Sequence, residues 1–274
     1  PTLPHNEGAF RCVTVVAPKG TIVNAEEGAS TTMCTVFFAH EIIHAVWKAL
    51  AQADPDRGCA GWAKNVFGIS VGKEEGGNPY VFYHGAAAAG SGAVDGRDGF
   101  NQIGHVCTLG GLTMPNVEVY EQLYPVRFYR QEFRTDAAGP GKYRGGSGCD
   151  YEVDILTPAV HSFRGEGLNY ETGYGLNGGS AGAAGKMHLR YRSGKTEEAP
   201  KVGLRQTEEV HFVTQSPGGG GYGSPLDRDP ELVLRDWRDG IISENSMRKI
   251  YGVIPAEDKR TVDLQATHTQ RRSM

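Results

Sequence analysis

Two histidines and a glutamate in the stretch His40-Glu41-Ile42-Ile43-His44 have the spacing of a helical zinc site. Histidines four residues apart lie on one face of a helix, where both imidazoles can bind the metal while the glutamate activates water. A metzincin would continue with a glycine and a third histidine, but Trp47 and Leu50 stand at those positions. The sequence therefore favours two buried, hydrogen-bonded histidines, and His40 and His44 remain metal-ligand candidates in second place.

A second group of residues could bind an anion. Gly90 and Gly92 offer backbone N–H groups of the kind that form anion nests, and Gly96-Arg97-Asp98-Gly99 and His105 follow. Arg97 could hold a carboxylate or phosphate through two parallel hydrogen bonds. Arg97, Asp98 and His105 are the candidate catalytic residues. Alternatively, Arg97 and Asp98 form an ion pair that braces the turns, and the spacing alone favours neither interpretation.

Polar residues near the start of the chain and a later glycine run are weaker candidates. Asn6 and Arg11 could contribute to substrate or anion binding, but a turn in which Asn6 caps the backbone is the favoured interpretation. The run Gly218–Gly221 is not followed by Gly-Lys-Ser/Thr, so it does not predict a P-loop. We therefore assign no ATP site to this run.

The elements that would position these residues are mostly β-strands. One long helix is predicted over 31–52, with apolar residues around enough of its circumference to be largely buried. The sequence thus predicts an α+β fold, predominantly antiparallel β, with barrel- or sandwich-like sheets and glycine-rich extended segments. Alternating or β-branched runs predict strands at 9–17, 21–23, 66–71, 80–84, 126–134, 150–156, 187–191 and 210–213.

The C-terminal region carries clear helix signals. Asp229 as N-cap and Pro230 at the first helical position predict a helix over 230–239. Ser243 predicts the start of a second helix, over 244–251. We expect three regions: a main domain over 1–225, a helical segment over 226–254 and a polar tail over 255–274.

Composition and charge narrow the classes of function. A net charge of −4 and a pI near 6.2 give no reason to expect a nucleic acid or an anionic membrane as partner. No apolar run has the length of a membrane span. The five cysteines include no C-x-x-C pair, which predicts reduced thiols in a cytoplasmic protein.

Six stretches, in this order along nearly the whole chain, resemble the hydantoinase B family, which includes subunits of acetone and acetophenone carboxylases, N-methylhydantoinases and 5-oxoprolinases. The resemblance covers the C-terminal half of a family member, and it implies that the preceding half exists as another chain or segment. The stretches are Asn6–Arg11, Ala17–Asn24, Gly96–Gly99, Pro115–Glu118 with Tyr124-Pro125, Gly139–Gly146 and Ser216–Gly223.

Within that family, the C-terminus resembles the ketone carboxylase branch at Arg228–Gly240, Ile250–Val253 and Thr269–Arg272. The resemblance implies an ATP-dependent reaction in which a phosphorylated enol is carboxylated with bicarbonate or CO2 in a chamber that excludes water. The glycine-rich elements would shape that chamber, and Arg97 would bind a carboxyphosphate-like anion. The alternatives are a subunit of an ATP-dependent ring-amide hydrolase, of N-methylhydantoinase or 5-oxoprolinase type, and a non-catalytic assembly subunit.

The resemblance also implies partners and cofactors. The partners are the N-terminal half of the hydantoinase B-like subunit, hydantoinase A-like subunits that bind ATP and Mg, and a small zinc-containing subunit. A divalent metal, Mn or Zn, is expected in the complex. The family's His/Asp cluster that would hold this metal belongs to the preceding half of the subunit, outside this chain.

Overall fold

The structure is a computed structural model, and it describes residues 8, 11–31, 38–104, 106 and 114–274. The helices of this part of the chain are α1 Ala39–Ala53, α2 Val117–Leu123, α3 Pro230–Arg238, α4 Glu244–Lys249 and α5 Leu264–Ser273. Its strands are β1 Val66–Lys73, β2 Pro79–Tyr83, β3 Val126–Phe133, β4 Cys149–Ile155, β5 Ala159–Gly165, β6 Lys186–Tyr191, β7 Thr196–Glu198, β8 Val202–Thr207 and β9 Val210–Gln215.

The strands form two antiparallel sheets packed face to face. One sheet has the order β2-β1-β5-β8 and the other β3-β4-β9-β6-β7. Neither closes into a barrel among the described residues, so the sandwich form of the predicted α+β fold is the one observed. Side chains of both sheets meet in one core, where the rings of Phe163 and Phe212 stack with centroids 6.2 Å apart. Alternation along β2, β5 and β9 sends every second side chain into this core.

Most predicted strands are confirmed, with ends that differ by up to two residues. The strands β5, β7 and β8 were not predicted, because their short, charged or glycine-containing sequences give no clear alternation. The predicted strands at 9–17 and 21–23 are wrong where the structure describes them. Residues 11–17 belong to no sheet, and Val15 and Val16 are about four-fifths exposed, at 83% and 80%. Thr21 forms a single bridge to Asn24. Without a neighbouring strand, β propensity alone does not make a sheet.

The prediction that the long helix is largely buried is wrong for α1. Only His40, His44 and Ala51 are buried, and Ile42, Val46 and Leu50 on another face are exposed. The part of the predicted helix over 32–37 lies outside the described residues. An apolar helix is buried only if the fold supplies a partner for each apolar face, and within the described chain α1 packs on one side only.

Glycine-rich segments fill the space beside the sandwich as extended backbone. The run Gly218–Gly221 lies at their centre, and its N–H groups donate in turn to the carbonyls of Ala183, Gly146, Gly61 and Ser180 at 2.9–3.1 Å. A Cβ on Gly219 would overlap the carbonyl of Ser91. The glycines are therefore required for close backbone approach, and their N–H groups are already bound to protein acceptors.

Both predicted C-terminal helices are confirmed. The side chain of Asp229 accepts a hydrogen bond from the N–H of Glu231 at 2.9 Å, and Ser243 caps α4, which ends at Lys249. These helices share a second apolar core built on residues such as Leu234, Met247 and Tyr251. The helix α5 was not predicted; Asp263 caps it, and Arg271 donates to the carbonyl of Arg228 at 2.7 Å. None of the helices in the described ranges has the length and apolarity needed to cross a membrane.

Candidate functional site

The histidines of the zinc-like motif face each other on α1. Their Nε2 atoms lie 3.1 Å apart, and that of His40 is also 3.3 Å from the carbonyl oxygen of Trp62. Burial lowers the pKa of His40 to about 4 and that of His44 to about 3, so both rings are neutral at pH 7. One neutral ring can donate to the other. The Nε2 atoms are thus bound to each other, as the structural interpretation of the motif requires.

The glutamate of the motif does not join the histidines. Glu41 forms an ion pair with Lys64, whose side chain is mostly buried. Across the described ranges, no group of three or more His, Cys, Asp or Glu side chains is arranged to hold a metal. The positive charge of Lys64 also disfavours the protonated form of both imidazoles, and would disfavour a cation there for the same reason. The described residues do not assemble a zincin site.

A cleft of about 320 Å³ opens beside the histidine pair, and sequence analysis did not find it. Lys48, Lys64, His44 and Thr172 are among its lining residues. Close by, burial raises the pKa of Glu166 to about 7, against the opposing effect of the Lys64 charge. A carboxyl group that titrates near neutral pH can accept or donate a proton. Lys64 and Glu166 lie far from the His40–His44 motif in sequence, so no local sequence pattern predicts that they belong to the same site.

The segment 59–64 connects this cleft to the turn that carries Arg97, the second group of candidate residues. Cys59 pairs with Val94 in a β-bridge, and the carbonyl of Cys59 accepts a hydrogen bond from the Tyr174 hydroxyl at 3.2 Å. The ring of Tyr174 packs edge-on to His44, with centroids 5.4 Å apart. Burial raises the pKa of the Cys59 thiol to about 11, so this cysteine is not an activated nucleophile. Contacts through Tyr174, Cys59 and Val94 thus link α1 to the Arg97 turn.

Arg97 stands at an exposed turn. Its N–H and carbonyl pair with those of Val94, and Gly96 within the turn has a φ of +84°, which favours glycine. The guanidinium lies over the ring of Phe100, 5.0 Å from its centroid. The structure shows no carboxylate paired with Arg97 among the described residues, so its two-pronged donor face remains available to an anion.

Asp98 is paired with Arg228 and not with Arg97, its neighbour in sequence. Its two carboxylate oxygens each accept a hydrogen bond from Arg228 at 2.7 Å, and one also accepts from the N–H of Arg144 at 2.9 Å. Arg228 is fully buried and also binds Asp236, which in turn accepts a hydrogen bond from Arg144 at 3.0 Å. The alternative prediction that Asp98 forms an ion pair with Arg97 is therefore wrong. Asp98 pairs with Arg228 instead, within a buried network.

The remaining predicted site residues are scattered. Gly90 and Gly92 are buried; the N–H of Gly90 donates to the carbonyl of Pro217 at 3.1 Å, and a Cβ on Gly92 would overlap the carbonyl of Ala60. Arg11 lies in an exposed turn. Asn6 and His105 lie outside the described residues, so their place relative to Arg97 stays a prediction.

A buried hydrogen-bond chain runs between the two sheets. The hydroxyl of Thr207 donates to the carbonyl of the next residue, so it accepts from His161 Nε2, at 2.8 Å in each case. His161 Nδ1 then accepts from the Ser70 hydroxyl, which accepts from His84 Nε2, again at 2.8 Å each. His84 Nδ1 accepts from the Tyr151 hydroxyl at 3.2 Å. One set of tautomers satisfies every member, and both histidines must be neutral.

The outer face of the five-stranded sheet carries an open cleft of about 640 Å³. Within it, His211 lies between Asp154, at 2.7 Å from Nδ1, and Glu152, at 3.2 Å from Nε2. The hydroxyl of Tyr129 donates to the same Asp154 at 2.9 Å. These four side chains thus form one hydrogen-bonded cluster on the surface of the sheet.

Comparison with known proteins identifies relatives over nearly the whole chain. The family model described as Hydantoinase B/oxoprolinase matches residues 1–225. The beta subunit of caprolactamase from Pseudomonas jessenii is 34% identical over 98% of this chain and 48% of its own length. The putative D-/L-hydantoinase B subunit of a Pseudomonas species is 31% identical over 98% of this chain and 45% of its own length. The chain thus spans about half the length of these relatives.

Two solved structures share the fold. The crystal structure of ATP-dependent caprolactamase from Pseudomonas jessenii matches with a TM-score of 0.81 and 32% identity, over 99% of this chain and 48% of that one. The nucleotide-free structure of acetone carboxylase matches with a TM-score of 0.69 and 20% identity, over 83% of this chain and 36% of that one, which establishes the shared fold alone. The delta subunit of acetophenone carboxylase from Aromatoleum aromaticum is 28% identical to this chain, over 98% of it and 45% of its own length.

Proposed function

This chain belongs to the hydantoinase B/oxoprolinase family, and from that premise we propose that it forms part of the hydantoinase B-like subunit of a multisubunit ATP-dependent enzyme that hydrolyses a ring amide. The observation that carries this proposal is the similarity to the caprolactamase beta subunit, 34% identical over 98% of the chain. The solved caprolactamase supports it, with a TM-score of 0.81 against 0.69 for acetone carboxylase.

In this proposal the chemistry is divided among subunits. The amide oxygen takes the γ-phosphoryl group of ATP on a companion hydantoinase A-like subunit that holds ATP and Mg, and ADP is released. Water then adds to the activated carbon, and the C–N bond breaks as the nitrogen takes up a proton. The resulting acyl phosphate is hydrolysed by a second water to the carboxylate and inorganic phosphate. The N–H groups of Gly218–Gly221 are bound to backbone carbonyls, which supports placing the nucleotide on the companion. Arg97 is the residue of this chain that we propose to bind an anionic group, either a carboxylate or a phosphate of the substrate.

A divalent metal of the complex, Mn or Zn, is proposed to lie outside this chain, in the half of the subunit that precedes it. The hydrogen-bonded pair of His40 and His44 supports that placement, because each ring uses its Nε2 within the protein. Asn6, His105 and Arg11 stay candidates for contacts to substrate, and Asp98 is proposed to position the Arg97 turn through Arg228.

The second candidate function is ATP-dependent carboxylation of a ketone. The resemblance of Arg228–Gly240 and the residues after it to the ketone carboxylase branch supports this candidate, as does the 28% identity to the acetophenone carboxylase delta subunit. Both reactions begin with phosphorylation of an oxygen, so the same chain could serve either. The C-terminal motifs favour the ketone carboxylase, whereas we propose the ring-amide hydrolase first because of the similarity to caprolactamase.

Turnover by the complete complex distinguishes the two candidates. The chain is co-expressed with the preceding half of its subunit and the hydantoinase A-like subunit, and ADP release is measured with ring amides and with ketones. A hydrolase releases ADP with a ring amide whether or not bicarbonate is present. ADP release that requires both a ketone and bicarbonate would replace the hydrolase with the carboxylase.

A further inference from the structure

The four-stranded sheet is apolar on both of its faces. The inner side chains belong to the sandwich core, and alternation points Val81 and Tyr83 of β2 and Val160 of β5 the other way. Val71 of β1 and Leu204 of β8 lie on the same outer side and are exposed. An antiparallel sheet with one solvated face normally alternates apolar and polar residues. This sheet has the pattern of one that is covered on both sides.

The strand register places these outer side chains next to each other. Val71 is paired with Val81 on one side and with Val160 on the other. The adjacent row runs from Tyr83 through Ile69 to Ser162 and on to Leu204. We call the surface formed by Ile69, Val71, Val81, Tyr83, Val160 and Leu204 the outer apolar face. Val202, at the end of β8, extends it and is 69% exposed.

Little charge interrupts this surface. The first row is aliphatic from Val81 through Val71 to Val160 and ends at Gln206 of β8, and the second row holds Ser162 as its one polar residue besides the tyrosine hydroxyl. Arg164 lies in the next row, where it pairs with Val202. A contiguous apolar patch of this kind on a soluble protein marks a binding surface. Because charged groups are depleted from it, the surface suits a permanent apolar contact better than a transient polar one.

We propose that the outer apolar face is covered by the half of the hydantoinase B-like subunit that this chain does not contain. This inference rests on the proposed function. The relatives are about twice as long as the part they share with this chain, which covers 48% of the caprolactamase beta subunit and 45% of its hydantoinase counterpart. In those relatives both halves belong to one polypeptide. A permanent contact is the kind whose interface resembles a core cut in two.

Photo-crosslinking in the co-expressed complete complex tests this assignment. p-Benzoylphenylalanine replaces Val81 in one sample and Leu204 in another, and crosslinked peptides are identified by mass spectrometry. We expect both positions to crosslink to the preceding half of the subunit. Val119 on α2 is a matched control, since it is 46% exposed but is not one of the residues of the face. A crosslink to a second copy of this chain, to the hydantoinase A-like subunit or to nothing would overturn the proposal.

A charge placed on the face gives an independent readout. In L204K, recovery of the preceding half with this chain should fall about tenfold or more, because an unpaired ammonium would be buried in the contact. V119K should leave recovery unchanged, and circular dichroism checks that both variants fold. If instead V46E on α1 abolishes recovery while L204K does not, the preceding half binds to α1 and not to the outer apolar face, and the proposal is wrong. A complex that assembles as expected but turns over neither substrate class would refute the proposed function alone.

Discussion

Asp98 binds Arg228 through two hydrogen bonds of 2.7 Å each, although the two residues lie 130 positions apart. Burial opposes the charge on Arg228, but the hydrogen bonds of Asp98 and the nearby charge of Asp236 outweigh it and raise the pKa of the guanidinium. The pair joins the turn that carries Arg97 to Arg228, which lies two residues before the start of α3. The position of a candidate binding residue thus depends on the C-terminal helices.

Replacing Asp98 with asparagine should therefore destabilise the protein. D98N keeps the shape but removes one of two charges facing the fully buried Arg228, at a cost of about 2–3 kcal/mol in the free energy of unfolding. Thermal or urea unfolding measures the effect, and limited proteolysis should show earlier cleavage near α3. D95N, in the same turn but exposed, is the control and should unfold like the wild type. An unchanged midpoint in D98N would show that the network is not stabilising.

The central glycine run gives a prediction about packing. In G219A the new methyl group would overlap the backbone carbonyl of Ser91, which cannot move without displacing the neighbouring segments. We expect a loss of more than about 3 kcal/mol in unfolding free energy, or no folded protein. G76A is the matched control, because a Cβ there would meet only the amide of Asn78, at 3.9 Å. Equal stability of the two variants would contradict close backbone packing.

The neutral histidines predict a loss of stability in mild acid. Burial lowers the pKa of His84 to about 3 and of His161 to about 4, whereas both titrate near 6.5 when unfolded. Below pH 6.5 the unfolded chain therefore binds more protons, and stability falls by up to about 1.4 kcal/mol per pH unit and histidine until the folded pKa is reached. Glu166, with its pKa raised to about 7, acts in the opposite direction over pH 4.5–7.

Unfolding midpoints between pH 7.5 and 4.5 measure this slope. Replacement of the exposed His268 by glutamine should leave the slope unchanged. Replacement of His161 by glutamine should reduce it, although the variant starts from a lower stability because Ser70 and Thr207 lose their shared partner. A wild-type protein equally stable at pH 7 and pH 5 would argue against neutral histidines in the core.

Arg97 gives the prediction closest to function. Because its side chain is exposed and lies over the ring of Phe100 at the surface, R97A should leave the unfolding midpoint and complex assembly unchanged. Turnover of the complete complex should fall about tenfold or more if the guanidinium holds an anion through two hydrogen bonds. R97K should recover only part of the activity, since lysine cannot make the two-pronged contact. Unchanged turnover in R97A would favour the non-catalytic assembly role.

The paired histidines of α1 give a prediction about metal content. In H44Q the assembled complex should keep the zinc or manganese content of the wild type, because Nε2 of His44 is bound to His40 and Lys64 is close by. Elemental analysis of the purified complex measures the content. The same analysis of the wild type sets the reference stoichiometry. Loss of about one metal ion per chain in H44Q would show that His44 is a metal ligand, as the zinc-like motif suggests.

Local signals in the sequence determined much of the fold. The caps at Asp229 and Ser243 predict α3 and α4 because a cap side chain and the N–H groups it binds lie within three residues. Alternation likewise predicts strands such as β4 and β9, because period two belongs to the strand itself. The six ordered motifs identified the family that the comparisons confirm.

Only the tertiary structure decided how those elements meet. The partner of Asp98, the acceptors of the Gly218–Gly221 N–H groups and the raised pKa of Glu166 all depend on segments that are distant in sequence. The exposure of α1 is decided in the same way, since an apolar helix face is buried only where another element covers it. A sequence pattern fixes a residue's local geometry, whereas contacts, burial and charge environment are properties of the whole folded chain.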